Sequence, residues 1–258
     1  MLKLDSLPDA TRRVFDHLSR NDLIRDFTLI GGTAMSLQIG HRHSEDLDFW
    51  LPAEHMNKHN ISEIVRAARE AGFLCIPATP NHKIVTAKIN GFDLLAHSQD
   101  YVIGGVKVTF FARNDGAYRH FSLFQMVPGA GTSFGVMGEE GLFAMKSYVI
   151  HQRVRSRDLY DLKTFMLRSK SLGNILQAGS AAEPSCSHEY AKSVLTGDVP
   201  LDKNDEGFDS VGVTESIHDI HAFFRNAVDE YEQMVAEDAM RATKNNKDDQ
   251  GSNFDTMG

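Results

Sequence analysis

The segment at residues 29–50, LIGGTAMSLQIGHRHSEDLDFW, constrains the fold more than any other. Residues 27–30 form a short apolar run stopped by Gly31 and Gly32, which reads as a buried strand followed by a turn. Residues 33–40 have helical composition and end at Gly40, a suitable helix C-terminus. Residues 47–51, LDFWL, read as the next strand. Strand, helix and strand in so short a span commit the chain to a sheet with helices laid on it. Side chains alternate along a strand, so Asp46 and Asp48 point to one side while Leu47 and Phe49 point to the other.

The rest of the chain extends this pattern. Residues 8–21 and 60–72 read as amphipathic helices, and residues 83–89, 92–97 and 106–111 as strands. Asn90-Gly91 and Gly104-Gly105 read as hairpin turns. From Glu139 the periodicity is helical, with Leu142, Met145 and Val149 on one face and Leu159, Leu162 and Phe165 on the next helix. Residues 171–215 read as irregular apart from a short helix at 187–196, and 215–238 as a long amphipathic helix. The expected architecture is α/β (α+β), a mixed sheet with flanking helices followed by a helical C-terminal part. The expected boundaries are a core at 1–137, a helical part at 138–240 and a disordered tail at 241–258.

Charge needs to be read by region. The 27 Lys and Arg against 35 Asp and Glu give a net −8, which argues at face value against a nucleic-acid ligand. Residues 1–170 nevertheless hold 21 basic and 18 acidic residues, and residues 171–258 hold 6 and 17. A slightly basic unit is thus joined to an acidic one, which serves either as a solvated face or as a cover over a basic cleft. Two cysteines, Cys75 and Cys186, exclude a disulfide framework. No signal-peptide pattern and no membrane-length apolar run occur, so a cytoplasmic location without membrane contact is expected. Cys75 and Trp50 are expected in the core.

Two convergent aspartates repel unless a cation lies between them. Magnesium suits such oxygen ligands and commonly shares them with substrate phosphates. Paired glycines let backbone approach a phosphate, and a following helix N-terminus favours anions. Gly31, Gly32, Thr33, Asp46 and Asp48 therefore offer one site for a nucleoside triphosphate with magnesium. Each motif alone is commonplace; their order and spacing make the pair informative. His41 and His43 lack further ligands at metal-site spacing, so zinc is not favoured. Arg42 is placed either to contact phosphate or to buttress Asp46, and Ser44 and Glu45 to shape the turn.

A glycine pair, a helix and Asp-hydrophobic-Asp resemble the signature of the polymerase-β-like nucleotidyltransferase superfamily. More narrowly, GGTAMSLQIGHRHSEDLDF is similar to the AbiEii/AbiGii-type nucleotidyltransferases, toxin components of bacterial toxin–antitoxin and phage-defence systems. The segment 142–162, LFAMKSYVIHQRVRSRDLYDL, resembles that family's helical motif. The resemblance covers residues 25–170. It implies catalytic roles for Lys146 and Asp158. Lys146, Arg153 and Arg157 fall at i, i+7 and i+11, a spacing that keeps them on one stripe if the helix is continuous. The stripe is placed to hold the triphosphate or an acceptor's phosphates, with Asp158 and Asp161 placed to orient those bases or the nucleotide. The resemblance also implies a third carboxylate, for which Asp93 is the candidate; Asp93 otherwise reads as a turn cap, and Asp100 and Asp115 are rivals in loop-like context.

On this reading Asp46, Asp48 and Asp93 hold two magnesium ions and an NTP donates its nucleotide to an acceptor hydroxyl. The resemblance implies an RNA acceptor, the tRNA 3′ end, and a cognate antitoxin. The alternatives are a non-catalytic nucleotide- or partner-binding regulatory module and a small-molecule (aminoglycoside) nucleotidyltransferase.

Overall fold

A computed structural model describes the backbone of residues 2–252 and the side chains of residues 2–241. The first helix, α1 (Asp9–Leu18), places Val14, Phe15 and Leu18 on its buried face. Strand β1 (Thr28–Ile30) runs directly into helix α2 (Gly31–Ile39), which ends at Gly40 in the left-handed conformation. Strand β2 (Leu47–Leu51) returns antiparallel to β1, with Ile30 opposite Asp48. Helix α3 (Lys58–Glu70) is capped by Asn57, whose side chain accepts from the His59 and Asn60 N–H groups.

Strands β3 (Cys75–Pro77), β4 (Ser98–Ile103), β5 (Val106–Ala112) and β6 (Gly135–Val136) complete a six-stranded sheet of order β3-β4-β5-β2-β1-β6. β2 and β5 run parallel at the centre, with Asp48 beside Thr109. One face of the sheet is core. Leu47, Phe49 and Phe110 are fully buried there, and the Phe49 and Phe110 rings stack with centroids 5.5 Å apart. The opposite face carries Asp48, Thr109 and Asp100 in one cross-strand row. Trp50 and Cys75 are buried as expected.

The mixed sheet with flanking helices is thus as expected, but the segment between β3 and β4 is not. Residues 83–89 lie in a helix, α4 (Asn81–Ile89), and residues 92–97 contain a one-turn helix, α5 (Leu94–His97). No residue of α4 is fully buried; Val85 and Ile89 are exposed, Ile84 is half-buried, and the run does not pair into the sheet. Asn90-Gly91 therefore ends a helix rather than turning a hairpin, with the Gly91 N–H donating to the Lys88 carbonyl at 3.1 Å. The strand that does form there begins at Ser98, and Gly104-Gly105 makes the expected hairpin into β5.

After the short helix α6 (Gly116–Phe121), the C-terminal part is helical: α7 (Glu139–Val149), α8 (Ser156–Arg168), α9 (Leu172–Ala182), α10 (His188–Thr196) and α11 (Ile217–Ser252). α9 replaces the irregular stretch expected after residue 171. A capping box between Ser171 and Asn174 opens it, and Leu172, Ile175 and Leu176 are buried. Gly179, a poor helix former by propensity, fits because a Cβ there would stand 3.2 Å from the Ser147 carbonyl of α7. α11 continues to Ser252, so residues 241–252 of the expected tail are helical backbone; residues 253–258 lie outside the described residues. α7 packs on α2 and α8 on α7, which carries Lys146 and Asp158 to the face of Asp46 and Asp48.

Candidate active site

Asp46 immediately precedes β2 and Asp48 lies within it, both facing a polar cleft of about 130 Å³. Burial first, and then the neighbouring Asp48 charge, push Asp46 up to about 6. Asp48 is raised too: burial outweighs the opposing pull of Lys107, Arg153 and Lys146. The two carboxylates are thus costly to ionise together, the condition a shared cation relieves.

The two glycines make room for side chains. Gly31 has φ +75°, and a Cβ there would stand 3.0 Å from an Asp48 carboxylate oxygen. A Cβ on Gly32 would collide with the Arg42 guanidinium. The Thr33 hydroxyl is buried, donates to the Asp46 carbonyl and pairs with the Ser44 hydroxyl at 2.8 Å. It therefore fixes the start of β2.

Across the cleft lies a second aspartate pair with the opposite electrostatics. Lys146, 5% exposed, reaches Asp158 at 2.5 Å and Asp161 at 2.6 Å. The Arg42 guanidinium forks onto Asp161 with N–O distances of 2.8 and 3.1 Å, and His41 Nε2 lies 2.7 Å from the same carboxylate. Arg153 Nε donates to Asp158 at 2.9 Å. Burial alone would raise both carboxyls. For Asp158, Lys146 and Arg153 outweigh it; for Asp161, Arg42, Lys146 and His41 do so and hold it well below the ordinary carboxylate value. Arg42 buttresses the site through Asp161 and makes no bond to Asp46.

The chain matches the AbiEii family, described as nucleotidyl transferase AbiEii toxin of type IV toxin–antitoxin systems, over residues 13–241. It belongs to the AbiEii nucleotidyltransferase toxin family. As an AbiEii member it is a nucleotidyltransferase. An uncharacterized protein of Aquifex aeolicus strain VF5, aq_aa25, is 27% identical over 166 residues, which cover 63% of this chain and 68% of that protein. Among solved structures, MenT4, the nucleotidyltransferase toxin Rv2826c from Mycobacterium tuberculosis H37Rv, aligns over 91% of this chain and 94% of its own at 14% identity and TM-score 0.45. The structure of JHP933 from Helicobacter pylori aligns over 91% of this chain and 99% of its own at 15% identity and TM-score 0.43.

In this AbiEii chain the structure brings Gly31, Gly32, Thr33, Arg42, Asp46, Asp48, Lys146, Arg153, Arg157 and Asp158 to one end of the sheet. It does not bring Asp93. That side chain is 56% exposed and pairs with Lys58 at 2.6 Å, a hydrogen bond that holds its carboxyl below the usual range. Because residues 92–97 turn as a helix, Asp93 sits at the N-cap position of α5 and off the sheet. Its rivals are engaged elsewhere: Asp100 accepts from the Thr109 hydroxyl at 2.9 Å, and Asp115 caps α6 and pairs with Arg113. The strand beside β2 offers Thr109 and Lys107 where the superfamily resemblance implied a carboxylate. Among the described residues no group of three or more His, Cys, Asp or Glu is arranged to hold a metal. The oxygen donors Asp46 and Asp48 are of the kind that suits one magnesium ion, and Asp93 does not stand beside them as a third carboxylate.

The expected stripe from Lys146 to Arg157 is broken, since α7 ends at Val149 and α8 starts at Ser156. Arg153 lies in the connecting turn and bends back to Asp158. Arg157 is held by the acidic C-terminal third: its Nε donates to the Gly207 carbonyl at 2.8 Å, and it pairs with Glu206 at 2.9 Å. Asp205 accepts from the Ser156 N–H and hydroxyl at 3.0 and 2.8 Å, and Ser210 donates to Glu45 at 2.9 Å. Asp205 and Glu206 therefore line the cleft, and the charge of Glu206 contributes to raising Asp46. Nothing local in the sequence marked these two acids. Lys107 carried a weak signal, as a charge alternating with Val106 and Val108 on a strand.

Among the described residues no helix is long and apolar enough to cross a membrane.

Proposed function

We propose that this nucleotidyltransferase toxin moves a nucleoside monophosphate from an NTP to an acceptor hydroxyl of RNA, a tRNA 3′ end, with magnesium and under the control of a cognate antitoxin. The observation that carries the reading is the half-buried Asp46–Asp48 pair, both members raised, facing Lys146 and Arg153 across one cleft. Asp46 and Asp48 would hold the magnesium, which supplies charge neutralisation at the triphosphate when bound. The N–H groups opening α2 and the Arg153 and Lys146 cations neutralise the phosphate oxygens and the departing pyrophosphate. Asp158 and Asp161 keep Lys146 aimed at that charge. Transfer then depends on positioning and electrostatics, as phosphoryl-group chemistry generally does. A slightly basic first two-thirds of the chain supports an RNA acceptor.

The test is direct. The protein is incubated with each α-labelled NTP, magnesium and, separately, tRNA, total protein or an aminoglycoside. Label is expected on tRNA, and Asp48→Asn is expected to lose it while remaining folded. Label on another acceptor class would replace the RNA reading, and transfer surviving in Asp48→Asn would defeat the assigned chemistry.

A further inference from the structure

A second cavity, of about 340 Å³, opens beside the polar cleft and shares Asp48, Lys146, Arg153 and Asp158 with it. Beyond those four residues its walls change character to Phe111, Tyr118, Phe121, Met145 and Tyr148. The rings brace one another edge to face: Tyr118 lies 6.0 Å from Phe111 and 5.4 Å from Phe121, and Phe121 lies 5.7 Å from Tyr148. The Arg113 guanidinium covers Tyr118 at 4.5 Å from the ring centre. Trp50 packs behind Tyr118 at 5.5 Å, and its indole N–H donates to the Arg113 carbonyl at 2.8 Å. The wall is therefore set before any ligand arrives, and Gln152 stands exposed at the cavity's edge with an amide that both donates and accepts.

We infer that this cavity seats the nucleoside of the NTP, its base against Phe111 and Tyr118. The triphosphate then runs past Asp48 and Lys146 into the polar cleft. The chemistry of the two halves selects this occupant. An apolar molecule would leave the shared charges unused, and a bare polyphosphate would gain nothing from the rings. A planar base with a trailing anion satisfies both, and stacking on aromatic faces accepts any base while Gln152 can read its edge. The inference rests on the nucleotidyltransferase reading of Asp46 and Asp48.

The experiment titrates the full chain, with magnesium, by calorimetry against each of the four NTPs and against tripolyphosphate. Phe111→Ala and the cavity-filling Met145→Trp are expected to weaken the best NTP about tenfold or more and leave tripolyphosphate affinity unchanged. The unaltered chain gives a reading independent of any variant's folding: Trp50 emission is expected to respond to NTP and not to tripolyphosphate. Equal weakening of both ligands, undiminished NTP affinity in folded variants, or an identical Trp50 response to both ligands each overturns the inference. Base-dependent binding without labelling of any acceptor would instead support the cavity's role and sink the transfer activity.

Discussion

Two aspartate pairs share this cleft and stand in opposite electrostatic states. Asp46 and Asp48 come from the start of β2 and are raised, chiefly by desolvation; Asp158 and Asp161 come from one turn of α8, are ringed by Lys146, Arg42 and Arg153, and are lowered. Desolvation acts against the charge of Asp48, Asp158 and Asp161 alike, so the difference lies in contact: Lys146, Arg153 and Arg42 bond directly to Asp158 and Asp161, whereas Lys107, Arg153 and Lys146 act on Asp48 without a hydrogen bond. The lesson is a division of labour. On the proposed reading, the pair without a direct cation contact is the one available to a metal, and the hydrogen-bonded pair holds Lys146 in place.

The comparison breaks most sharply by substitution. Asp48→Asn is expected to cut transfer on the order of a hundred- to a thousandfold while the chain keeps its melting temperature, because neutralising a raised carboxyl relieves rather than adds strain. Asp161→Ala is expected to destabilise by about 3–5 kcal/mol in a denaturant titration, since it strands the Arg42 and Lys146 charges in the interior. If Asp161→Ala melted like the parent chain and Asp48→Asn unfolded, the roles assigned to the two pairs would be reversed.

A pH titration sharpens it further. Asp46, at about 6, is raised above its unfolded value, so the unfolded chain loses its proton first as pH rises. Without magnesium this group takes stability away between roughly pH 4 and 6 and holds the loss above that. Asp158 and Asp161 are lowered, so their contribution is full above the unfolded carboxylate value and disappears as pH falls through their native values. Magnesium is therefore expected to raise the melting temperature by a few degrees at pH 7 and by less at pH 5. An equal gain at both values would count against Asp46 as a ligand. The smallest effect is expected at the edge of the cleft. Glu206→Gln weakens partly exposed ion pairs with Arg157 and, at 4.0 Å, Arg155, so stability should change by less than about 1 kcal/mol. The KM for NTP should fall a few-fold as a competing charge leaves.

Much of this site was legible because its first half is local. Gly31, Gly32, Asp46 and Asp48 lie within one strand–helix–strand unit, and alternation along a strand dictates that the two carboxylates converge. The Lys146…Asp158 motif was legible as a cluster of opposite charges but not as geometry, because the turn at residues 150–155 interrupts the helix that would have aligned its basic residues. Asp93 misled because an apolar, β-branched run preceded it and an Asn-Gly pair stood where hairpins turn. Helix or strand was decided there by whether the run found a sheet edge, which is tertiary information. α9 was hidden by its own glycines, whose low propensity is overridden by the close approach of α7. Asp205 and Glu206 lie about fifty residues from the arginine they approach, and no periodicity reports such a contact.

The segment around Asp205 and Glu206 has a consequence for how binding responds to ionic strength. A nucleic acid that contacts Arg157 displaces a carboxylate already there, so an internal ion pair is lost as an external one forms. Salt weakens both, and the two responses partly cancel. The slope of log affinity against log salt should therefore be shallower than the cleft's arginines and lysines would give if they stood open to solvent.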